Sequence, residues 1–293
     1  MNLRDLRYLV AVAEHRHFGK AAQACFVSQP TLSTQLRKLE ETLGVTLIER
    51  GNRQIMLSPA GEQIVAQARK VLQEVNVLTT LADQYRDPLG GQLKLGVIPT
   101  LAPYVLPRIL TPLKELFPNL SLNLTESQTV PLVQKLKEGE LDVLLLALPL
   151  NEENIVEYEL CKEPFLFAVP KSHAKADRKS VSVNDLSGES VLLLEDGHCL
   201  RDQALDVCHS HRAEEDTNFR ATSIETLRQM VAAGVGTTLM PEMAVDTAHD
   251  DVVYLPFRNK PPHRNVGLCW RASSTRLPLL EELAPAMKRM LKS

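Results

Sequence analysis

Apolar residues recur at helical spacing in three short segments near the start of the chain. Over residues 3–16 and again over 18–25, leucine, valine and alanine return every three or four positions, as in amphipathic helices. A third helix is predicted from Gln29 to Leu43, with Ser28 placed to cap its start and Gly44 to end it. Two short helices joined by a tight turn are typical of a helix-turn-helix, whose second helix enters the DNA major groove.

The predicted third helix has an apolar face and a polar face. Leu32, Leu36 and Leu39 form the apolar face, which we expect to pack on the first two helices. The residues expected to meet DNA lie at its start and on its polar face: Ser28, Gln29, Pro30, Thr31, Ser33, Thr34 and Arg37. Residues 47–57 then alternate around a turn, as a two-stranded wing would, with Arg50 and Arg53 available to phosphates. The alternative is a three-helix packing unit whose polar residues are merely solvated.

One long helix is predicted over residues 59–86, where an apolar stripe continues without internal proline and without glycine after Gly61. Such a helix would reach about 40 Å, and a stripe of that length indicates a partner chain. The alternative, a helix packed on its own domain, is disfavoured by residues 87–91, Asp-Pro-Leu-Gly-Gly, which are typical of a domain boundary.

The remainder alternates between strand-like and helix-like segments, which predicts an α/β unit with a largely parallel sheet. Strands are predicted over residues 92–98, 121–126, 141–148, 191–194 and 236–240, and helices over residues 101–117, 130–139, 200–209, 222–233 and 277–291. Two similar halves are expected, connected around residues 163–171 and again near 265. Ligands of such architectures bind between the halves, at the carboxyl ends of strands.

These patterns divide the 293 residues into a DNA-binding domain over 1–60, a linker and dimerisation helix over 61–87, and a regulatory domain over 88–293. Hydrophobic residues make up 44% and charged residues 24%, as in soluble globular proteins. Residues 1–60 hold eight Lys or Arg against five Asp or Glu, although the whole chain carries a net charge of −3. The first residues resemble neither a signal peptide nor a membrane anchor, so we expect a cytoplasmic protein with reduced cysteines.

Cys199 and Cys208 carry the candidate chemistry. Cys199 is expected where a strand passes to a helix, so the helix dipole, aided by His198 and Arg201, would favour its thiolate. Peroxide oxidises a thiolate to sulfenic acid, which Cys208 could capture as a disulfide. Nine residues of helix rise about 13.5 Å, so the two cysteines could bond only if the helix unwound. The alternative is a pair of small buried thiols.

Other groups are expected to play no chemical role. Cys25, Cys161 and Cys269 stand in apolar or helical contexts and are interpreted as structural. No metal-ligand spacing occurs among the cysteines, and neither a metal nor another cofactor is expected.

The first sixty residues resemble the winged helix-turn-helix of the LysR family of bacterial transcription regulators. The matching residues are Ala21, the run from Ser28 to Ser33 (Ser-Gln-Pro-Thr-Leu-Ser), Leu39-Glu40, Leu43-Gly44-Val45, Leu47, Arg50 and Ala60-Gly61. The resemblance implies major-groove reading by residues 29–37 and a homodimeric, often tetrameric, regulator that dimerises through the long helix. It also implies a regulatory domain of two subdomains, similar to periplasmic binding proteins.

Residues 194–204 with Cys208, and residues 219–234, resemble the hydrogen peroxide sensors of that family. That likeness implies a peroxide-reactive Cys199, a resolving Cys208 and a peroxide pocket of Thr100, Thr129, His198 and Arg264. Without it, the two threonines would be interpreted as strand-end hydrogen bonders. The implied protein is not an enzyme but a regulator that activates antioxidant genes. Its implied partners are operator DNA, RNA polymerase, hydrogen peroxide and a dithiol reductant, with no membrane. The rival is a LysR regulator of a small organic effector, in which both cysteines are inert.

Overall fold

The structure, a computed structural model, describes residues 1–49, 55–211, 213–246 and 251–291. Arg50 and Arg53, which were predicted to contact phosphates, lie outside the described residues. The chain forms two compact units, Met1–Ala82 and Asp83–Ser293. No described helix is long and apolar enough to cross a membrane.

The first unit is helical with a small two-stranded wing. Its elements are α1 (Leu3–His15), α2 (Phe18–Ala24), α3 (Gln29–Leu43), β1 (Ile48–Glu49), β2 (Met56–Leu57) and α4 (Pro59–Arg86), the last of which continues beyond the unit. The two strands pair antiparallel, Ile48 with Leu57 and Glu49 with Met56. The predicted winged helix-turn-helix and long helix are therefore confirmed.

Local signals explain the bounds of α3. The Ser28 Oγ accepts a hydrogen bond from the Thr31 amide at 3.3 Å, which satisfies one of the open donors of the first turn. Gly44 ends the helix in the left-handed region at φ 69°, a conformation that glycine adopts at little cost. Leu32, Leu36 and Leu39 are at most 1% exposed, so the predicted apolar face is confirmed.

The second unit holds a mixed seven-stranded sheet and a separate parallel pair. Its strands are β3 (Gly91–Val97), β4 (Leu120–Glu126), β5 (Val143–Leu148), β6 (Ile155–Pro170), β7 (Ser190–Leu194), β8 (Glu214–Ala221), β9 (Thr238–Pro241), β10 (Val252–Pro256) and β11 (His263–Arg271). Its helices are α5 (Ala102–Leu116), α6 (Thr129–Lys137), α7 (Cys199–Ser210), α8 (Ile224–Ala232) and α9 (Leu277–Met290). The large sheet has the order β10-β6-β11-β5-β3-β4, with β9 also on β6, and β7 pairs β8.

Strand β6 belongs to both halves of this unit. Residues 155–164 pair with β11, whereas residues 165–170 pair with β9 and β10. At the change of partner, the Phe165 amide donates to the Pro262 carbonyl at 2.8 Å, where the chain enters β11. The two halves, called here the first and second subdomains, therefore meet at this point of β6 and at the start of β11.

Each subdomain has its own apolar core. The first core gathers β3, β5, β11, α5, α6 and α9, and the second gathers β7, α7, α8, β9 and the later part of β6. The sequence patterns did not predict β6, β8, β10 or β11 as strands. In β8, polar and charged residues dominate, and parallel pairing with β7 holds the strand in place.

Candidate functional site

Cys199 is the first residue of α7 and lies between the two subdomains. Its side chain packs on the core of the first subdomain, whereas Leu200, Ala204 and Cys208 of the same helix belong to the second core. The preceding residue, His198, makes no side-chain capping hydrogen bond. The half-buried sulfur therefore lies at the positive end of the helix dipole, at the junction of the subdomains.

Burial raises the pKa of the Cys199 thiol above its ordinary value, and this is the largest influence on it. Four weaker influences lower this pKa: the Arg264 charge, the Thr129 hydroxyl, and the backbone amides of Ala147 and Leu200. The expectation that the resting residue favours the thiolate is therefore wrong, because the cost of burying a charge exceeds what these donors return. The ionised form of Cys199 would meet several donors that are already in place.

The two residues expected to promote that thiolate do not do so. Burial lowers the pKa of His198, which favours the neutral imidazole, and its Nε2 lies 4.0 Å from a Glu195 carboxylate oxygen. The Arg201 guanidinium is engaged elsewhere: it donates to the two Glu215 carboxylate oxygens at 2.6 and 3.1 Å and to Asp196 at 2.9 Å. Arg201 therefore anchors the start of α7 to β8, and its charge is directed at these carboxylates.

Arg264 is the cation that acts on Cys199. Its side chain is fully buried at the start of β11, where Nε donates to Glu163 Oε2 at 2.6 Å. The two terminal nitrogens donate to the Thr100 hydroxyl at 3.0 Å and to the Thr100 carbonyl at 3.1 Å. Three well-formed hydrogen bonds thus fix the guanidinium in one orientation.

Both threonines of the predicted pocket are found in this neighbourhood. Thr100 is 2% exposed, and both its hydroxyl and its carbonyl accept hydrogen bonds from Arg264. Thr129 begins α6, and its hydroxyl oxygen is buried without a well-formed hydrogen bond, although it lies close enough to lower the pKa of the Cys199 thiol. A buried hydroxyl with spare bonding capacity can receive a small polar molecule.

The turn before α7, which contains Asp196 and Gly197, lies against Gln128 at the start of α6. Gly197 lies at φ +94°, and a Cβ there would stand 2.6 Å from the Gln128 side-chain oxygen. Gln128 also donates to the Asp196 carbonyl at 3.5 Å. The positive φ favours glycine at this turn, which lies beside the start of α6.

Cys208 has a very different setting at the other end of α7. Its side chain is 0% exposed in the second core, and burial, with a smaller contribution from the Glu215 charge, raises its pKa to about 11. Both cysteines are free thiols. The helix between them separates their Cα atoms by about 13.5 Å, about twice the distance that a disulfide allows.

The candidate DNA-binding residues lie together at the start of α3. Gln29, Pro30, Thr31, Thr34 and Arg37 are exposed, and Ser33 is half-buried. Ser28 is engaged as the cap, with its Oγ 2.8 Å from the Thr31 hydroxyl oxygen. The exposed residues form one polar surface, as a recognition helix requires.

Glu163 is the residue near Cys199 that the sequence patterns missed. It is separated from Arg264 by 101 residues, so no local spacing could indicate the pair. The visible signal was a carboxylate two residues before the apolar run 165–170. Within the described part of the chain, no group of three or more His, Cys, Asp or Glu could hold a metal ion.

Comparison with known families assigns both units. Residues 3–62 match the bacterial regulatory helix-turn-helix proteins of the lysR family, and residues 86–292 match the LysR substrate binding domain. The chain belongs to the LysR family.

Within that family the chain is similar to proteins named OxyR. It is 50% identical over 290 residues to the DNA-binding transcriptional dual regulator OxyR of Escherichia coli K12, with 98% of this chain and 95% of that protein covered. Among solved structures, a variant of full-length OxyR from Pseudomonas aeruginosa is 39% identical with a TM-score of 0.74, and 98% of each chain is covered. A mutant OxyR from Corynebacterium glutamicum, solved with hydrogen peroxide bound, is 34% identical with a TM-score of 0.69. The match covers 99% of this chain and 92% of that one.

Proposed function

We propose that this protein is a cytoplasmic transcription regulator that senses hydrogen peroxide through Cys199 and activates antioxidant genes. The observation that carries the proposal is the Cys199 sulfur at the start of α7, where Arg264 and the Thr129 hydroxyl both favour its ionised form. Similarity to E. coli OxyR, and to an OxyR structure with peroxide bound, supports the choice of oxidant.

The first chemical step oxidises Cys199. Its thiolate attacks one oxygen of hydrogen peroxide, the O–O bond breaks, and the leaving hydroxide takes up a proton to become water. Sulfur is thereby oxidised by two electrons to the sulfenic acid. In this step Arg264 stabilises the thiolate, while the hydroxyls of Thr129 and Thr100 and the imidazole of His198 orient the peroxide.

The second step forms the disulfide. The Cys208 sulfur attacks the sulfenic sulfur, the S–O bond breaks, and water leaves with the Cys208 proton. Because Cys208 is fully buried at the far end of α7, that helix must unwind first. A covalent bond that requires a different local fold can hold the regulator in a second state.

The remaining partners follow from the two units. The exposed residues of α3 read operator DNA, and Arg50 and Arg53 contact phosphates. Leu78 of α4 is 68% exposed and Val71 is 37% exposed, as expected of a helix that pairs with a second copy in a homodimer or homotetramer. RNA polymerase receives the activating signal, and a cellular dithiol reduces the disulfide to reset the regulator.

A peroxide titration of the reduced protein, followed by non-reducing peptide mapping, tests the proposal. We expect a Cys199–Cys208 disulfide at micromolar peroxide, with none formed in Cys199→Ser. Cys208→Ser should accumulate sulfenic acid at Cys199, which dimedone traps. Cys269→Ser is the matched control, because Cys269 is buried and its pKa is raised strongly by that burial.

Oxidation of Cys199 only at millimolar peroxide, or at the same rate as Cys269, would contradict the proposal. The protein would then be better described as a LysR regulator that responds to a small organic effector.

A further inference from the structure

Phe26 is the most exposed large apolar side chain that the structure describes, at 95%. It lies in the turn between α2 and α3, two residues before the Ser28 cap. A single exposed apolar side chain is ordinary on a protein surface, so exposure alone assigns Phe26 no function. Its backbone conformation, however, is also unfavourable for phenylalanine.

The backbone of Phe26 is held in the left-handed region, at φ 55°. The Phe26 amide donates to the Gln23 carbonyl at 3.1 Å, and the Val27 amide donates to the Ala22 carbonyl at 3.0 Å. These two bonds form the Schellman motif that ends α2, and Phe26 stands at the position in it that glycine usually occupies. Helix α3 ends in the same region with a glycine, Gly44 at φ 69°.

Neither local conformation nor packing favours phenylalanine at this position. Bulky residues are strained in the left-handed region, and among the described residues Phe26 is the only apolar one besides glycine at positive φ. Its ring also gains almost nothing from burial within the chain. Local strain of this kind is typical of functional sites.

The surroundings of Phe26 suit DNA as its partner. Between Glu14 and Glu40 the sequence contains no Asp or Glu and four Lys or Arg, so this stretch attracts phosphates. Phe26 precedes Gln29 by three residues, which places their Cα atoms at most about 11 Å apart. Since successive bases of one strand are about 3.4 Å apart, the ring lies within about three base steps of the exposed start of α3. The exposed ring is thus continuous with the surface that α3 presents.

We propose that Phe26 reads a thymine of the operator, by contact of its ring with the C5-methyl group in the major groove. The ring has neither a donor nor an acceptor for base edges, and the thymine methyl is the apolar feature that the major groove offers. The proposal deepens the proposed function and rests on it, since it requires that α3 reads operator DNA. Phe26 adds one base to the sequence that the polar residues of α3 specify.

The test begins with a library of random DNA duplexes, from which the full-length reduced protein selects its preferred sequence. The most enriched duplex is the probe, and each thymine of one half-site is replaced in turn by deoxyuridine, which lacks only the methyl group. At one thymine beside the bases read by α3, the replacement should weaken binding of the wild-type protein about fourfold, as expected for one methyl group removed from a contact. In Phe26→Gly the same replacement should have no effect.

Phe26→Gly also separates a role in DNA binding from a role in folding. Because glycine relieves the left-handed backbone, we expect this variant to unfold at the same urea concentration as the wild type or a higher one. It should nevertheless bind the probe about tenfold more weakly. Phe26→Asn, which also tolerates this conformation, should behave in the same way. Asn259→Gly, an exposed residue at φ 59° in the second unit, is the matched control and should leave binding unchanged.

Equal affinity of Phe26→Gly and the wild type for the probe, or the same response of both to deoxyuridine at every thymine, would overturn the proposal and leave the proposed function standing. A changed oligomeric state of Phe26→Gly without DNA would mean that the ring serves a protein contact, and would overturn it as well. If the wild-type protein enriches no sequence, the reading of operator DNA by α3 fails, and this role of Phe26 fails with it.

Discussion

The two ends of α7 carry the same kind of residue in opposite surroundings. Cys199 is half-buried beside a fixed guanidinium, a hydroxyl and backbone amides that favour its thiolate. Cys208 is fully buried among apolar side chains, and the nearby charge of Glu215 opposes its ionisation. Apart from burial, the groups around Cys199 favour ionisation and the charge near Cys208 opposes it, although one short helix joins the two residues.

The difference teaches that burial alone does not separate the two cysteines; the charged and hydrogen-bonding groups around each sulfur do. Burial raises the pKa of both thiols. Cys199 also has neighbouring groups that lower its pKa, whereas the charge near Cys208 raises the pKa further. Those groups come from both subdomains: Arg264 from β11 and Thr129 from α6 on one side, and the Leu200 amide from α7 on the other. The surroundings of Cys199 therefore depend on how the two subdomains meet, whereas those of Cys208 belong to the second core.

Removing the guanidinium should have the largest effect on this contrast. Arg264→Gln makes the surroundings of Cys199 more like those of Cys208, so we expect its rate of oxidation by peroxide to fall at least about tenfold. It also leaves Glu163 buried without its cation, which should cost about 3 to 5 kcal/mol of unfolding free energy. Quenched-flow mass spectrometry and urea unfolding measure the two effects.

Arg271→Gln is the matched control for that experiment. Arg271 lies on the same strand and donates to the carbonyls of Leu136 and Leu141, away from the sulfur. Its loss should lower stability but leave the rate of Cys199 oxidation unchanged. Equal rate losses in both variants would show that general loosening of the first subdomain, and not charge, separates the two cysteines.

Sequence periodicity predicted the elements whose signals are local. Helix α3 was predicted with the bounds observed, because its cap, its leucine face and its terminal glycine all lie within it. Helix α7 was predicted within one residue at each end, for the same kind of reason. Strand β8 was missed because it is rich in charged and polar residues and depends on pairing with β7.

The chemistry of the pocket was only partly visible in the sequence. Cys199 and Cys208 could be named from their positions in the sequence. The direction in which the pKa of Cys199 shifts could not, because it depends on burial by the other subdomain. Arg201 was expected to act on Cys199 since it is near in sequence; in space Glu215 and Asp196 bind it. Local sequence cannot reveal which of two nearby partners a long side chain will reach.

Alkaline pH should lower the stability of the folded protein through the buried Cys208 thiol. The unfolded chain releases the Cys208 proton near its ordinary value of about 8.5, whereas the folded protein keeps it until about pH 11. Between these values the folded state binds more protons, so stability falls as pH rises. We expect the loss due to Cys208 to approach about 3 kcal/mol, at 1.36 kcal/mol per pKa unit.

Urea unfolding of the reduced protein between pH 8 and 11 measures this slope, and Cys208→Ala should make it shallower. Because Cys161 also has a pKa raised to about 11, the quantity to compare is the difference between the two proteins. The same slope in both would mean that Cys208 is ionised or solvated in the folded state, and the contrast with Cys199 would disappear.

The smallest effect concerns the helix that keeps the two thiols apart. Asp206 is exposed in α7 between the cysteines, and a substitution there leaves both of their surroundings intact. Glycine costs about 1 kcal/mol more than alanine in a helix interior. If α7 must unwind before Cys208 reaches the sulfenic acid, Asp206→Gly should form the disulfide about fivefold faster than Asp206→Ala, since 1 kcal/mol is about a factor of five in an opening equilibrium.

The rate to measure is the second step alone, by adding dimedone at intervals after a short peroxide pulse and following the loss of trappable sulfenic acid. The first step should proceed at the same rate in both variants, because residue 206 is far from Arg264 and Thr129. If the second step is also equal in the two, the helix does not unwind in order to bring the cysteines together. An intact α7 keeps the two Cα atoms about 13.5 Å apart, too far for a disulfide, so another thiol would have to capture the sulfenic acid of Cys199.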